Sequence, residues 1–279
     1  MKKLSVLAIS FIIFAFTPPS IGWSPESNNA AHSVSNTSKP LVSPAVAEAI
    51  AVKATSVLPE DILEDYIKDT FDEMDLRGTG LKREVFTKAV IGLQNLKNAK
   101  LISQHKDIIS IVDLSKASHF KRLWVIDLKN KKLLYNTLVA HGSGSGSERA
   151  EVFSDRVNSH QSSLGFYITA NTYTGKHGLS LKLKGMDAGY NKNAYERAIV
   201  VHGADYVSND FIKTHGRLGR SHGCPALPVE LTTSIINVIK NKSLLYIDGD
   251  VNSYTSTYLN KSIAAAYFVS GNPTLTASL

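Results

Sequence analysis

Cysteine is almost missing from this chain: Cys224 is the single thiol in 279 residues. With no second thiol, an internal disulfide framework is excluded. Long apolar runs are equally scarce. Only Leu4 to Phe16 forms one, and it is too short to span a bilayer. No dense basic block carries interleaved aromatics, which sets nucleic acid aside as a partner despite a formal net charge of +7. No cysteine follows the N-terminal apolar run, which argues against a lipid-modified N-terminus.

That run follows Met1-Lys2-Lys3, breaks at Pro18-Pro19 and reaches small residues between Ser20 and Gly22. The pattern is that of a secretory signal peptide over residues 1–22. The expectation is an exported protein of the periplasm or cell envelope, with no stable membrane insertion once the leader is removed. Export sharpens the question of the lone thiol. A solitary cysteine in an oxidising compartment is buried as a small hydrophobe, paired between chains, or used.

Residues 23–44 are rich in Ser, Asn and Pro and read as a flexible linker. From Glu60 to Met74 and from Lys82 to Leu96, apolar residues recur at helical spacing, as in Ile62, Tyr66, Ile67 and Phe71 and then Val85, Phe86, Ala89, Val90 and Leu93. Two amphipathic helices joined at Arg77-Gly78-Thr79-Gly80 are expected within a helical region over residues 45–105. Glu73, Asp75, Gly78 and Glu84 fall on positions one, three, six and twelve of a calcium-loop register. Position five is Arg77, a cation where an oxygen ligand belongs, so a plain helical hairpin is preferred.

Beyond Ile108 the texture turns to short β-branched and aromatic runs: Ile109 to Leu114, Arg122 to Leu128, Lys132 to Ala140, Phe166 to Ala170, Arg197 to His202 and Leu244 to Ile247. Asp127 to Lys132 joins two of them as a hairpin. Leu231, Ile235, Ile236 and Ile239 keep helical spacing between Pro228 and Lys240. The fold class is therefore mainly β with helices (α+β), with a β-rich domain over residues 106–250 and a tail over 251–279.

Chemistry concentrates in two places. An apolar strand ends at His202-Gly203, and Cys224 lies in Ser221-His222-Gly223-Cys224-Pro225. A cysteine nucleophile acts as thiolate and needs a base or a positive field. His202, fixed at a strand end, is a candidate base, and His222 is another. The base in turn needs an acceptor on its second ring nitrogen, available from Asp205, Asp210 or the Gly203 carbonyl. Backbone N–H groups near Gly223 and Cys224 are candidate donors to a developing oxyanion. Arg217 and Arg220 are read either as ordinary solvated charges or as groups that favour a thiolate and bind a substrate carboxylate. A zinc site from His202, His215, His222 and Cys224 has suitable donors but no familiar ligand spacing.

Taken together, His202-Gly203 and Ser221-His222-Gly223-Cys224 resemble the signature of the YkuD-type L,D-transpeptidases, which cross-link bacterial peptidoglycan. Ile111-Val112-Asp113-Leu114-Ser115, Arg122-Leu123-Trp124-Val125-Ile126-Asp127, Val139-Ala140-His141-Gly142, Ser162-Ser163-Leu164-Gly165-Phe166-Tyr167, Gly175-Lys176-His177-Gly178 and Gly219-Arg220-Ser221 resemble the murein L,D-transpeptidase catalytic domain branch, in the same order. The likeness runs over roughly residues 108 to 248.

The resemblance implies a YkuD-like β-sandwich catalytic domain in which Cys224 attacks the amide after a diaminopimelate-type residue of a peptidoglycan stem peptide. D-alanine would leave, and a second stem amine would accept the acyl group. His202 would be the base, Gly203 the carbonyl that orients it, and Ser221, His222 and Gly223 the supporting and oxyanion shell. No metal or organic cofactor is implied. Ala226 stands where the broader family carries an arginine, which makes Arg220 the candidate substrate-binding guanidinium. Water in place of the amine would give an L,D-carboxypeptidase. A non-catalytic peptidoglycan-binding envelope protein would be expected to have lost the nucleophile or the base, and both are present.

Overall fold

The computed structural model describes residues 58–273. The expected signal peptide, the linker, residues 45–57 and the last residues of the tail lie outside the described residues.

Two helices come first, α1 (Pro59–Glu73) and α2 (Arg83–Asn98). Leu63, Ile67 and Phe71 recur every four residues along α1 and are buried, the stripe of an amphipathic helix. Proline at the first helical position is well placed, because its missing N–H would have no intrahelical partner there. The connecting turn is held by its own side chains. Asp75 takes φ +45 and accepts Gly78 N–H on Oδ1 at 3.3 Å, while Thr79 Oγ1 accepts Trp124 Nε1–H at 2.8 Å and donates to Leu76 O at 2.6 Å. Glu73 pairs with Lys131, and the Arg77 guanidinium lies over the Phe71 ring at 5.9 Å. Glu73, Asp75 and Arg77 of the calcium register are thus each engaged by the protein itself.

Eight strands follow: β1 (Ile108–Asp113), β2 (Leu123–Asp127), β3 (Lys132–Thr137), β4 (Gly165–Gly175), β5 (Gly178–Gly185), β6 (Val200–Gly203), β7 (Ala226–Leu227) and β8 (Leu244–Asp248). They form one sheet in the order β3-β2-β1-β8-β4-β5-β6-β7. Ala140, three residues beyond the end of the edge strand β3, makes an antiparallel bridge to Ala226 in the opposite edge strand β7. The sheet thereby curls until its two edges meet. The α+β architecture, with helices ahead of the β-rich part, is as expected.

Three more helices complete the fold, α3 (Asn209–His215), α4 (Val229–Ile239) and α5 (Lys261–Gly271). Strand alternation divides most apolar strand residues between two large cores, and a third, small cluster of Leu138, Ala140, Ala204, Val207, Leu218 and Ala226 lies apart from them. Ile109, Ile111, Trp124, Ile126, Phe166, Ile168, Leu244 and Tyr246 meet α1, α2 and α5 on the outer face. Val112, Leu123, Val125, Tyr167, Leu181, Leu183, Val201, Leu227, Leu245 and Ile247 share the inner core with α4. The tail that the sequence left undecided is tied down: Asn95 Nδ2 donates to Tyr258 O at 2.8 Å and to Asn260 O at 2.9 Å, and Asn260 caps α5 by accepting Ile263 N–H.

The seam between α2 and the sheet is set at Gly92. A Cβ added there would enter the ring of Phe166, which is fully buried and stacked on Tyr246 at 4.6 Å. Gly92→Ala gains up to about 1 kcal/mol of helix propensity and costs about 1–3 kcal/mol of overpacking. Net destabilisation is expected, measured as a lower urea midpoint at unchanged slope.

Candidate active site

Two short strands bring the key residues together. β6 and β7 pair in parallel with His202 opposite Ala226 and Gly203 opposite Leu227. Counting back two residues on each strand sets Cys224 level with Val200. The distances agree: Val200 N–H donates to Cys224 Sγ at 3.4 Å, and Sγ lies 3.8 Å from Ala198 O. Ala198 holds φ +54, which turns its carbonyl at the entrance to β6.

His202 is buried, and its Nδ1 lies 2.9 Å from Gly203 O. A carbonyl only accepts, so Nδ1 carries the proton and Nε2 is the basic nitrogen. Of the three acceptors open in the sequence, the Gly203 carbonyl is the one used. The exposed imidazole of His177, at the tip of the β4–β5 hairpin, lies over His202 with ring centroids 4.5 Å apart. Burial pulls the His202 pKa below its ordinary 6.5, the Gly203 bond opposes this, and His177 and Lys176 push it further down. Burial pushes the Cys224 thiol above its ordinary 9.0, against the pull of Val200 N–H and Arg197. Both shifts favour the neutral thiol and the neutral imidazole, and no hydrogen bond joins Sγ to His202.

The turn around Cys224 is held by Ser221. Its Oγ accepts Gly223 N–H at 3.0 Å and donates to Cys224 O at 2.7 Å. Gly223 takes φ +117, a conformation that L side chains rarely adopt, and an added Cβ would lie 2.7 Å from Gln161 O. The Gly223 N–H is therefore spent inside the turn, and the Cys224 N–H makes no hydrogen bond among the described residues. His222 is exposed and stacks on His160, centroids 4.1 Å apart at 7°. It belongs to the rim, away from the thiol's hydrogen bonds. His215 lies on α3, stacked on Phe211, so the four residues of the zinc reading point to separate partners. Arg220 Nη1 donates to Gly146 O at 3.1 Å and Arg217 Nη1 to Leu218 O at 2.7 Å.

Several neighbours had no assigned role in the sequence reading. Arg197, almost fully buried, donates to Ser154 O, Ser163 Oγ and Gln161 O at 2.8, 2.5 and 2.7 Å and to Ser159 Oγ at 3.2 Å. It pins the 151–164 loop against Gly223 and supplies positive potential to the thiol. The Tyr206 pKa is pushed up to about 12, first by burial and then by the Cys224 charge. His141 and Arg122 lie fully buried beneath the turn. The signal for Arg197 was present in its position: it begins the run that ends at His202. His141-Gly142 repeats the His-Gly pairing of His202-Gly203.

No helix among the described residues is long and apolar enough to cross a membrane. No curated protein matches the chain. Solved structures with a related arrangement include an L,D-transpeptidase from Mycobacterium smegmatis, 10% identical, covering 51% of this chain and 59% of that one at a TM-score of 0.33. They also include the helical cell shape determining protein Pgp2 from Campylobacter jejuni, 13% identical, with coverages of 60% and 56% and a TM-score of 0.35. The Enterococcus faecium L,D-transpeptidase is 15% identical, with coverages of 53% and 51% and a TM-score of 0.32. The chain thus spans less than two thirds of the length of each of these proteins. The model of the L,D-transpeptidase catalytic domain family matches residues 77–247, starting in the turn between α1 and α2, well ahead of the first resembling phrase. With more than half of its length matched, the chain belongs to the L,D-transpeptidase catalytic domain family.

Proposed function

We propose that this protein is an exported cysteine acyltransferase that performs L,D-transpeptidation on peptidoglycan stem peptides through a Cys224 acyl-enzyme. The observation that carries the reading is the β6–β7 register. It sets the chain's one thiol two residues along from an imidazole whose Nδ1–H is tied to Gly203 O and whose Nε2 is left as the base.

Attack begins when Sγ leaves Val200 N–H and turns to His202 Nε2; catalytic hydrogen bonds commonly tighten only once substrate is bound. The thiol proton passes to Nε2, an S–C bond forms at the amide carbonyl, and the oxyanion takes the unspent Cys224 N–H. Collapse breaks the C–N bond, and the imidazolium returns its proton to the leaving D-alanine amine. An acceptor amine then attacks the thioester, gives its proton to Nε2 and restores the thiol. A neutral starting pair suits this cycle, because His202 must accept a proton before it can deliver one. Burial, which raises the thiol and lowers the imidazole, maintains that pair. Gly203 orients the base, and Ser221 and Gly223 shape the turn. Arg220 supplies positive potential beside it, with Nη1 engaged by Gly146 O. His222, stacked on His160, forms the rim over which a stem peptide enters.

Incubation of the purified protein with a disaccharide tetrapeptide, followed by mass analysis, tests the reading. Cross-linked dimers with loss of D-alanine are expected. Tripeptide alone would assign water as the acceptor and make the enzyme an L,D-carboxypeptidase. An unchanged substrate would overturn the acyltransfer reading.

A further inference from the structure

Cys224 is braced from both sides by one stretch of chain. Ala140 N–H donates to Ala226 O at 2.9 Å, two residues after the thiol. Ser221 N–H donates to His141 O at 2.9 Å and Ser143 N–H to Ser221 O at 2.8 Å, three residues before it. Gly142 lies so close that an added Cβ would be 2.8 Å from Gly223 Cα and 2.9 Å from Gly223 N. The 140–143 segment thus spans the turn as a strut spans a gap.

What holds the strut is unusual. Arg122 is fully buried, yet none of its hydrogen bonds goes to a carboxylate. Nε and Nη2 donate to Val139 O at 3.0 and 2.9 Å, and Nη1 to Lys116 O at 2.8 Å. Nη2 also meets His141 Nδ1 at 2.8 Å. Guanidinium has no acceptor, so His141 Nδ1 is bare and Nε2 carries the proton, which points to Gly146 O at 3.3 Å. Gly146 O also receives Arg220 Nη1, closing the network on the residue next to Ser221. Asp113, the acidic group that favours the Arg122 charge, uses Oδ1 on Ser115 and leaves Oδ2 without a partner. Burying a cation at such a site costs several kcal/mol before compensation. A fixed cation there is explained by the carbonyls and imidazole that it orders.

We infer that Arg122 and His141 are positioning residues for the acyl-transfer site: the guanidinium fixes the His141 tautomer and the 139–143 strut, and the strut fixes the backbone turn that aims the Cys224 N–H. This rests on the acyltransfer reading for its catalytic consequence, but its structural core stands apart from it. Neither side chain touches Cys224 or His202 in the hydrogen-bond network, so each acts through the strut. Arg122→Lys keeps the charge and loses the planar fork, and is therefore a disruptive change here. His141→Asn keeps an acceptor near the Nδ1 position and is the conservative variant.

The test uses the full chain and the variants Arg122→Met, Arg122→Lys, His141→Leu and His141→Asn, with two readouts. Native-state hydrogen exchange at the Gly223 and Ser221 amides needs no substrate. It is expected to accelerate roughly tenfold or more in Arg122→Met, Arg122→Lys and His141→Leu while the Val125 amide in β2 stays protected, and to stay within a few-fold of the parent in His141→Asn. Acylation of Cys224 by a carbapenem, which develops an oxyanion, is expected to slow roughly tenfold or more in the same three variants. Alkylation of the thiol by iodoacetamide, which develops none, keeps its rate and pH profile. Unchanged exchange at Gly223, or a uniform loss of protection that includes Val125, overturns the inference. If the parent protein takes no carbapenem adduct, the acyltransfer reading fails while the exchange data decide the strut. The contrast between His141→Leu, which removes the acceptor, and His141→Asn, which retains it, keeps the test decisive should Arg122→Met fail to fold.

Discussion

Cys224→Ala is expected to give a folded protein that forms no acyl-enzyme, with stem-peptide turnover reduced by about 10⁴-fold or more. The size of the effect follows from the composition: no second thiol exists to replace Sγ, and the hydroxyl nearest in the chain, Ser221 Oγ, is held between Gly223 N–H and Cys224 O. The structural cost is small. Cys224 is a small residue that is not fully buried, and loss of Sγ leaves Val200 N–H without its sulfur acceptor, worth about 0.5–1.5 kcal/mol. Intact-mass analysis after carbapenem treatment separates the outcomes. One adduct on the parent and none on the alanine variant is the expected result, with thermal midpoints within a few degrees of each other. An adduct on the variant would place the nucleophile elsewhere.

Much of the scaffold was legible because its signals are local. The spacing of Ile62, Tyr66, Ile67 and Phe71 and the run Val85 to Leu93 marked two helices to within two residues of Pro59–Glu73 and Arg83–Asn98, although the buried stripe of the first runs through Leu63. Strands β1, β2 and β8 were marked by runs of β-branched, aromatic and leucine residues that are apolar on both faces, since both faces are covered. What escaped was less apolar. β5 alternates Leu179, Leu181 and Leu183 with Ser180, Lys182 and Lys184, the period of a half-buried strand, yet with its lysines and flanking glycines it was not among the runs that the sequence marked. α3 has seven residues and no buried side chain, and only Ser208 at its start and Gly216 at φ +72 at its end betray it.

The site was legible where one residue type carried the chemistry and obscure where geometry did. Cys224, His202 and the Gly203 carbonyl could be named because a lone thiol and a strand-ending His-Gly are conspicuous in sequence. Their juxtaposition depends on a two-residue strand, Ala226–Leu227, too short to leave any pattern. The commitment of Gly223 N–H to Ser221 Oγ, which leaves the Cys224 N–H as the unengaged donor of the turn, depends on one hydroxyl orientation. Arg122 entered the reading only as the start of the run to Leu128, and nothing in its neighbours announced that it would be wholly buried and joined to His141.

Changing His202 tests the base directly. In His202→Gln the general-base contribution is lost, and turnover should fall by about 10²–10⁴-fold with a folded protein retained. The pH dependence carries the assignment. A base must be neutral to accept the thiol proton, and the His202 pKa lies below 6.5 because burial, His177 and Lys176 outweigh the Gly203 bond. Parent activity should therefore persist to more acidic pH than an ordinary histidine would allow, and the acid limb should vanish from the residual activity of His202→Gln. His177→Ala removes a neighbour that holds the His202 pKa down, so the acid limb should move toward higher pH. On the alkaline side, the raised thiol means that iodoacetamide labelling of the free enzyme climbs above pH 9 instead of levelling near neutrality. A parent acid limb at or above 6.5, or one that survives unchanged in His202→Gln, would transfer the base role to another imidazole. His222 would be the first to examine, since it is exposed and two residues from the sulfur.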